Sequence, residues 1–315
     1  MVTTIGLGLA AVGRPAYIDL GRESDLGPDR SIAALERLTH ELLDAARAAG
    51  VRYVDAARSY GLAERFLASW LTNRGLPPGD PTVGSKWGYR YVGGWRLDAP
   101  VHEVKDHSLG ALERQYAESR AELGDWLLLY QVHSATLESG VLEDAAVLGA
   151  LDHVRRQGLV IGLTVSGPGQ ADVVRRALDV RMDGESLFGA VQATWNLLER
   201  SAGPALADAR QAGLGVILKE VLANGRLGEH VTLERTPLGD IAAREGVGTD
   251  AIAIAAALAN PWVDVVLSGA VSVLQLESNL EALSVGLSSA DLDALDALAE
   301  PPQRYWSERQ ALRWS

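Results

Sequence analysis

Asp125-Trp-Leu-Leu-Leu-Tyr-Gln-Val-His133 is the stretch on which the fold turns. From Trp126 to Tyr130 it is apolar at consecutive positions, not alternate ones. A strand with one wet face alternates, whereas one apolar throughout is covered on both faces, as in a parallel sheet dressed with helices. Leu214-Gly-Val-Ile-Leu218 and Val263-Asp-Val-Val-Leu267 have the same character. Outward from residues 126–131 the pattern repeats. Expected strands at 4–9, 51–54, 82–85, 126–131, 159–164, 188–193, 214–218 and 263–267 are each followed by helical periodicity. The helices are expected at 31–49, 62–72, 101–123, 143–157, 170–178, 204–212, 237–244 with 250–258, and 273–282; a closing helix is expected at 289–299. Gly50, Gly158 and Gly213 stand between a helix and the next strand, where C-terminal caps belong. Eight strand–helix units predict an α/β fold, a closed (β/α)8 TIM barrel with an extra C-terminal helix and tail, as a single domain over 1–315.

The competing architecture is a doubly wound nucleotide-binding sheet. Gly6-Leu-Gly8-Leu-Ala-Ala11 matches its glycine fingerprint, but that motif needs a helix to open at once on the phosphate. Here Gly13, Pro15, Gly21, Gly27 and Pro28 keep the chain irregular to about Ser31.

Composition removes several functions. The 315 residues carry 29 Lys plus Arg against 41 Asp plus Glu, a net charge of −12, which opposes general nucleic-acid binding. The absence of cysteine removes disulfides, thiolate metal sites and Cys nucleophiles. No basic leader precedes the first apolar stretch, and the longest apolar run, Ala251 to Ala259, is too short to span a bilayer. A cytoplasmic protein without membrane or nucleic-acid partners is expected; nothing in the sequence specifies an oligomeric state.

In a barrel of this kind the chemistry sits at the C-terminal ends of the strands. The second expected strand ends at Asp55, with Tyr60 five residues on; the third ends at Lys86; the fourth runs to His133. Singly, each has an ordinary structural reading: a cap, a packing phenol, a solvated ammonium, a core imidazole. Together they interrupt apolar runs at adjacent strand ends, and a buried Asp or Lys requires a partner. A phenol ordinarily titrates near 10, and a neighbouring ammonium lowers that value. Tyr60 beside Lys86, with Asp55 holding the Lys and His133 orienting an oxygen, makes an acid suited to carbonyl reduction. A metal-dependent hydrolase would need several His at strand ends, and of the six only His133 falls on one, so no metal is expected.

At this point the sequence resembles the aldo-keto reductase family. Asp55-Ala-Ala-Arg-Ser-Tyr60-Gly-Leu-Ala-Glu64, Ser85-Lys86-Trp87 and Asp125 to His133 look like its signature segments, with Ala56 where Thr is usual. The resemblance implies a nicotinamide cofactor lying across the barrel mouth, NADP(H) ahead of NAD(H). It implies Tyr60 as acid/base, Lys86 and Asp55 as its tuning pair and His133 as the substrate-orienting group. Thr164 and Gln192 are the implied carboxamide contacts; Gly269, Ser272, Gln275 and Asn279 belong to the implied adenosine-phosphate segment. Three positions depart from the family pattern. Lys219-Glu220 replaces an aromatic-Ser pair, Val271 replaces the basic residue for a 2′-phosphate, and Ser278 replaces a Glu near adenine. Glu220 would repel a pyrophosphate unless Lys219 or Arg226 compensates; the alternative is a Lys–Glu pair turned away. Ser272 also reads as a helix cap in a Ser-x-x-Gln box.

The substrate walls are expected from the aromatics after the third strand and in the tail: Trp87, Tyr89 and Trp306, with Trp314 anchoring the chain end on the barrel floor or side. The expected activity is an NAD(P)(H)-dependent oxidoreductase acting on a small carbonyl or alcohol substrate. The alternative is a cofactor-bound regulatory or sensor protein of the same fold with little turnover.

Overall fold

A computed structural model describes residues 5–228 and 236–314. Thr4, where the first strand was expected to begin, lies outside the described residues. Eight parallel strands close into a barrel. They are β1 (Ile5–Gly8), β2 (Tyr53–Asp55), β3 (Thr82–Trp87), β4 (Leu127–Ala135), β5 (Val160–Val165), β6 (Ala190–Thr194), β7 (Gly215–Lys219) and β8 (Val265–Ser268). Each pairs with its sequence neighbours, and β1 closes the ring against β8 through Ile5 opposite Val266. The expected barrel is therefore the fold. Residues 9–21 turn irregularly and open no helix on Gly6 and Gly8, so the doubly wound alternative falls.

The helices are α1 (Arg22–Leu26), α2 (Ile32–Ala48), α3 (Ala63–Asn73), α4 (Leu109–Leu123), α5 (Ala145–Arg156), α6 (Gln170–Leu178), α7 (Gly203–Gln211), α8 (Pro237–Glu245), α9 (Thr249–Leu258), α10 (Val273–Glu281), α11 (Ser289–Asp296) and α12 (Pro302–Gln310). Several start where a side chain satisfies the first free amides. Ser31 accepts from Ala34 N, Ser108 from Ala111 N, and Asp144 from Ala146 N and Val147 N. Gly50, Gly158 and Gly213 all have positive φ, as helix-to-strand turns require.

Two segments differ from expectation. Residues 101–108 are not helical: Glu103–Lys105 pairs antiparallel with Tyr89–Tyr91, and the helix waits for the Ser108 cap. The tail forms α12, whose amphipathic pattern is short and follows Pro301-Pro302.

One aromatic links the barrel interior to its mouth. Tyr53 points inward from β2, and Gly6 and Gly84 on the flanking strands leave it room: a Cβ on Gly6 would stand 2.9 Å from the Tyr53 ring, and one on Gly84 would overlap its hydroxyl. The Tyr53 hydroxyl donates upward to Asp55 Oδ1 at 3.1 Å. At the mouth, the segment after β1 crosses to the loop after β7: Leu20 N donates to Asn224 O at 3.1 Å, and Asn224 Nδ2 to Ile18 O at 2.9 Å.

Gly13, in the same segment, packs directly on the turn that carries Tyr60. A Cβ there would overlap the Tyr60 carbonyl oxygen and stand 2.6 Å from Ala63 Cβ. Because backbone cannot give way as a flexible side chain can, Gly13→Ala is expected to lower unfolding stability by about 1–3 kcal/mol or more. Thermal unfolding checks this; an unchanged Tm would show that the turn is soft.

Candidate active site

The C-terminal ends of β2, β3 and β4 bring Asp55, Lys86 and His133 together, and the turn after β2 adds Tyr60. Lys86 and Asp55 form a buried ion pair, and Lys86 Nζ also donates to Ala56 O at 2.9 Å. Asp55 Oδ1 collects further donors: Tyr53, Gln192 Nε2 at 3.0 Å and Gln131 Nε2 at 3.3 Å. A carboxylate at this depth is sustained only by such a set. Lys86 Nζ lies 4.7 Å from the Tyr60 ring centroid. The Tyr60 and His133 rings meet edge-to-face at 5.5 Å, and Ser59 Oγ is 3.4 Å from His133 Nδ1.

Burial sets the protonation states. It raises the Tyr60 phenol well above its ordinary value, Asp55 adds to the rise, and Arg14 opposes it. The expected lowering by Lys86 is thus not realised: its charge is spent on Asp55, and burial itself pulls the Lys86 ammonium down. His133 is held well below its ordinary value, first by burial and then by Lys86 and Lys219, so its imidazole is neutral. A protonated phenol and a neutral imidazole face one space.

That space is a cavity of about 600 Å³. Of the residues singled out from sequence, Asp55, Tyr60, Tyr89, His133, Gln192, Lys219, Gly269, Gln275 and Asn279 line it. Lys86 stands behind Asp55. The others are placed elsewhere. Thr164 is fully buried, its Oγ1 accepting from Ser134 N at 2.7 Å, and Ser134 and Ser166 face the cavity in its stead. Ser272 caps α10 through Gln275 N. Arg226 pairs with Glu300 and Glu308, away from the opening.

The aromatic walls also change. Trp87 is wholly buried against His107, and Trp306 packs with Tyr305 in a satellite core under α12, so neither forms a wall. Trp314 does: it lines the cavity, stacked on His102 at 4.4 Å, and not the barrel floor or side.

Sequence reading missed the charges that complete the site. Arg14 is 2% exposed, lies 5.2 Å from the Tyr60 ring and pairs with Glu103 at 2.6 Å. Arg309, from α12, makes a bidentate pair with Glu220, whose carboxyl falls to about 2 despite burial because Arg309 and Lys219 face it. Compensation for Glu220 therefore comes from Arg309 with Lys219, and not from Arg226. Lys219 Nζ donates to Thr194 Oγ1 at 2.7 Å and Ser166 Oγ at 3.2 Å; burial lowers it to about 8. Arg14 and Arg309 lie on irregular or terminal segments with no spacing that ties them to a strand end. Glu64, the last residue of the quoted signature, holds the floor of the site, accepting from Ser85 and from Ser119 and pairing with Arg58.

Among the described residues, no group of three or more His, Asp or Glu could hold a metal ion, and no helix is long and apolar enough to cross a membrane.

Comparison with known proteins follows the same lines. The model of the Aldo/keto reductase family matches residues 34–300. Among curated proteins, aldo-keto reductase ausK of Emericella nidulans is 24% identical, the alignment covering 95% of this chain and 79% of that protein. L-galactose dehydrogenase of Arabidopsis thaliana is 25% identical over 80% of this chain and 81% of its own. Among solved structures, the holo form of an aldo-keto reductase from Bacillus halodurans superposes with a TM-score of 0.69 at 21% identity, covering 95% of this chain and 93% of that one.

Proposed function

Because this chain belongs to the aldo/keto reductase family, whose members are NAD(P)H-dependent oxidoreductases, we propose that it interconverts a small aldehyde or ketone and its alcohol with Tyr60 as the acid/base. The observation that carries this reading is the phenol of Tyr60 and the neutral imidazole of His133 facing one cavity, over the buried Lys86–Asp55 pair.

The cavity suits a nicotinamide dinucleotide. It continues from Tyr60 to Gly269 and Asn279, and nothing stands within 4 Å of the place a Gly269 Cβ would take, so backbone is open to a ligand there. Gln192, Ser134 and Ser166 are the cavity-lining amide and hydroxyls that would hold a carboxamide; Lys219 and the N-terminal turn of α10 would face phosphate. Such a cofactor supplies a hydride when bound. The chain's own residues do the rest. His133 donates a hydrogen bond to the carbonyl oxygen and fixes its direction. Tyr60 transfers its proton to that oxygen as negative charge grows there. Lys86, held by Asp55, takes up part of the charge left on the phenolate. Trp314, Tyr89 and Arg14 bound the side from which substrate enters. The reading as a low-turnover binder drew on an uncompensated Glu220, and Arg309 removes that ground.

The direct test is carbonyl-dependent loss of reduced-nicotinamide absorbance across a panel of aldehydes and ketones, with no turnover on any member as the outcome that defeats the proposal. A pH dependence follows from Lys219. Its ammonium is charged below about 8 and neutral above it. Affinity for the anionic dinucleotide is therefore expected to fall as pH rises through about 8. Titration of the wild type and of Lys219→Met checks this: the variant should bind more weakly at low pH and lose the slope. A slope kept in the variant would assign it to another group.

A further inference from the structure

We propose that the end of the cavity remote from Tyr60 selects a nucleotide whose adenosine ribose is unphosphorylated, so that NAD(H) is preferred to NADP(H), with Asp25 and Asp250 reading the ribose. The inference rests on the nucleotide reading of the cavity. For the phenol and the hydride carrier to meet at one carbonyl, the nicotinamide lies beside Tyr60. The rest of the dinucleotide then runs to the opposite end, where the β8–α10 turn faces α1.

That end is acidic. Asp250, at the start of α9, is 6% exposed, lines the cavity and keeps Oδ1 without a hydrogen-bond partner. Its Oδ2 accepts from Asn279 Nδ2 at 2.7 Å. Asp25, on α1, lines the same end and accepts from Gln275 Nε2 at 2.6 Å. No Lys or Arg occurs between Arg244 and Arg304, a span that includes α9, β8, α10 and α11. Val271, at the turn, is buried and uncharged.

The cations that line the cavity come from other segments and are engaged there. Arg14 pairs with Glu103, and Arg309 with Glu220. Arg22 donates to the carbonyls of Ala11, Arg14 and Pro15, and Lys219 to Thr194 and Ser166.

The chemistry of the two ligands then decides. Ribose hydroxyls donate hydrogen bonds, and carboxylates are their acceptors in dinucleotide sites; a 2′-phosphate calls for an arginine instead. A phosphate monoester brings nearly two negative charges and only acceptor oxygens at neutral pH. Set near two carboxylates in a half-enclosed space, with water displaced, it meets repulsion that bulk solvent would screen.

Separate fluorescence or calorimetric titrations of the full chain with NADH and NADPH test this without turnover. NADH is expected to bind about tenfold or more tightly, a ratio in the ordinary range for losing one charge-matched contact. Asp25→Asn and Asp250→Asn, each confirmed folded by circular dichroism, should narrow that ratio by weakening NADH and strengthening NADPH. Asp25 is only partly buried, so its variant keeps the test open should Asp250→Asn fail to fold. Equal affinity, or tighter NADPH, would overturn the inference and leave the nucleotide reading intact. Failure of both nucleotides to bind would overturn the nucleotide reading, and the inference with it. An unchanged ratio in both folded variants would remove Asp25 and Asp250 as its cause.

Discussion

Tyr60→Phe is expected to lower kcat by about two to four powers of ten, the range for losing a general acid, with nucleotide affinity essentially unchanged. The ring stays, and with it the packing against His133 and the face presented to Lys86 and Arg14. Only the proton-bearing oxygen is lost. Burial keeps the phenol protonated far above neutrality, so the wild-type group is a ready donor throughout the working range. Steady-state rates with a carbonyl substrate, together with a nucleotide titration of the variant, separate the two effects. A variant that kept most of its rate would move the acid to another residue. A variant that lost rate and binding together would point to a disturbed fold.

Lys86→Met has the second large effect, and it falls on the fold as much as on the chemistry. Lys86 and Asp55 are both essentially inaccessible to water. Removing the ammonium leaves a carboxylate in the barrel with only neutral donors, Tyr53, Gln131 and Gln192. Breaking a buried pair from one side costs about 3–5 kcal/mol. Denaturant unfolding should show a loss of that size. The double variant Lys86→Met/Asp55→Asn should recover much of it, because no unpaired charge then remains. A single-variant loss below about 1 kcal/mol would mean that Asp55 is stable without its partner, counter to what burial of an unpaired charge demands.

Much of this architecture could be read from the sequence, for a definite reason. Strands of a parallel barrel are apolar on both faces, so the polar residues that end them stand out. Asp55, Lys86 and His133 were visible as interruptions, and Tyr60 through its fixed offset from Asp55. What escaped lies where no periodicity operates. Arg14 and Asp25 sit in the irregular segment after β1, Glu103 in a short hairpin, Arg309 in a tail helix. Their roles come from distant partners, Glu220 with Arg309 across 89 residues and Gln275 with Asp25 across 250. The hairpin was misjudged as helix because Val101 to Ser108 adjoins a true helical pattern, and only the Ser108 cap divides them. Trp87 and Trp314 exchanged expected roles for a related reason. Strand alternation sends consecutive side chains to opposite faces, so Lys86 reaches the mouth and Trp87 turns into the surrounding core, whereas the tail folds back far enough to put Trp314 at the opening.

The Tyr53 ring has a consequence for anyone who would engineer this molecule. Barrel enzymes are commonly treated as a scaffold with exchangeable loops, the one redesigned for robustness and the other for chemistry. Here a single phenol spans both: it is seated in sockets left by Gly6 and Gly84, and its hydroxyl steadies Asp55. Filling those sockets to harden the protein would displace the carboxylate that anchors the ammonium. Thermostability and turnover are therefore joined at that ring, and neither can be selected there without moving the other.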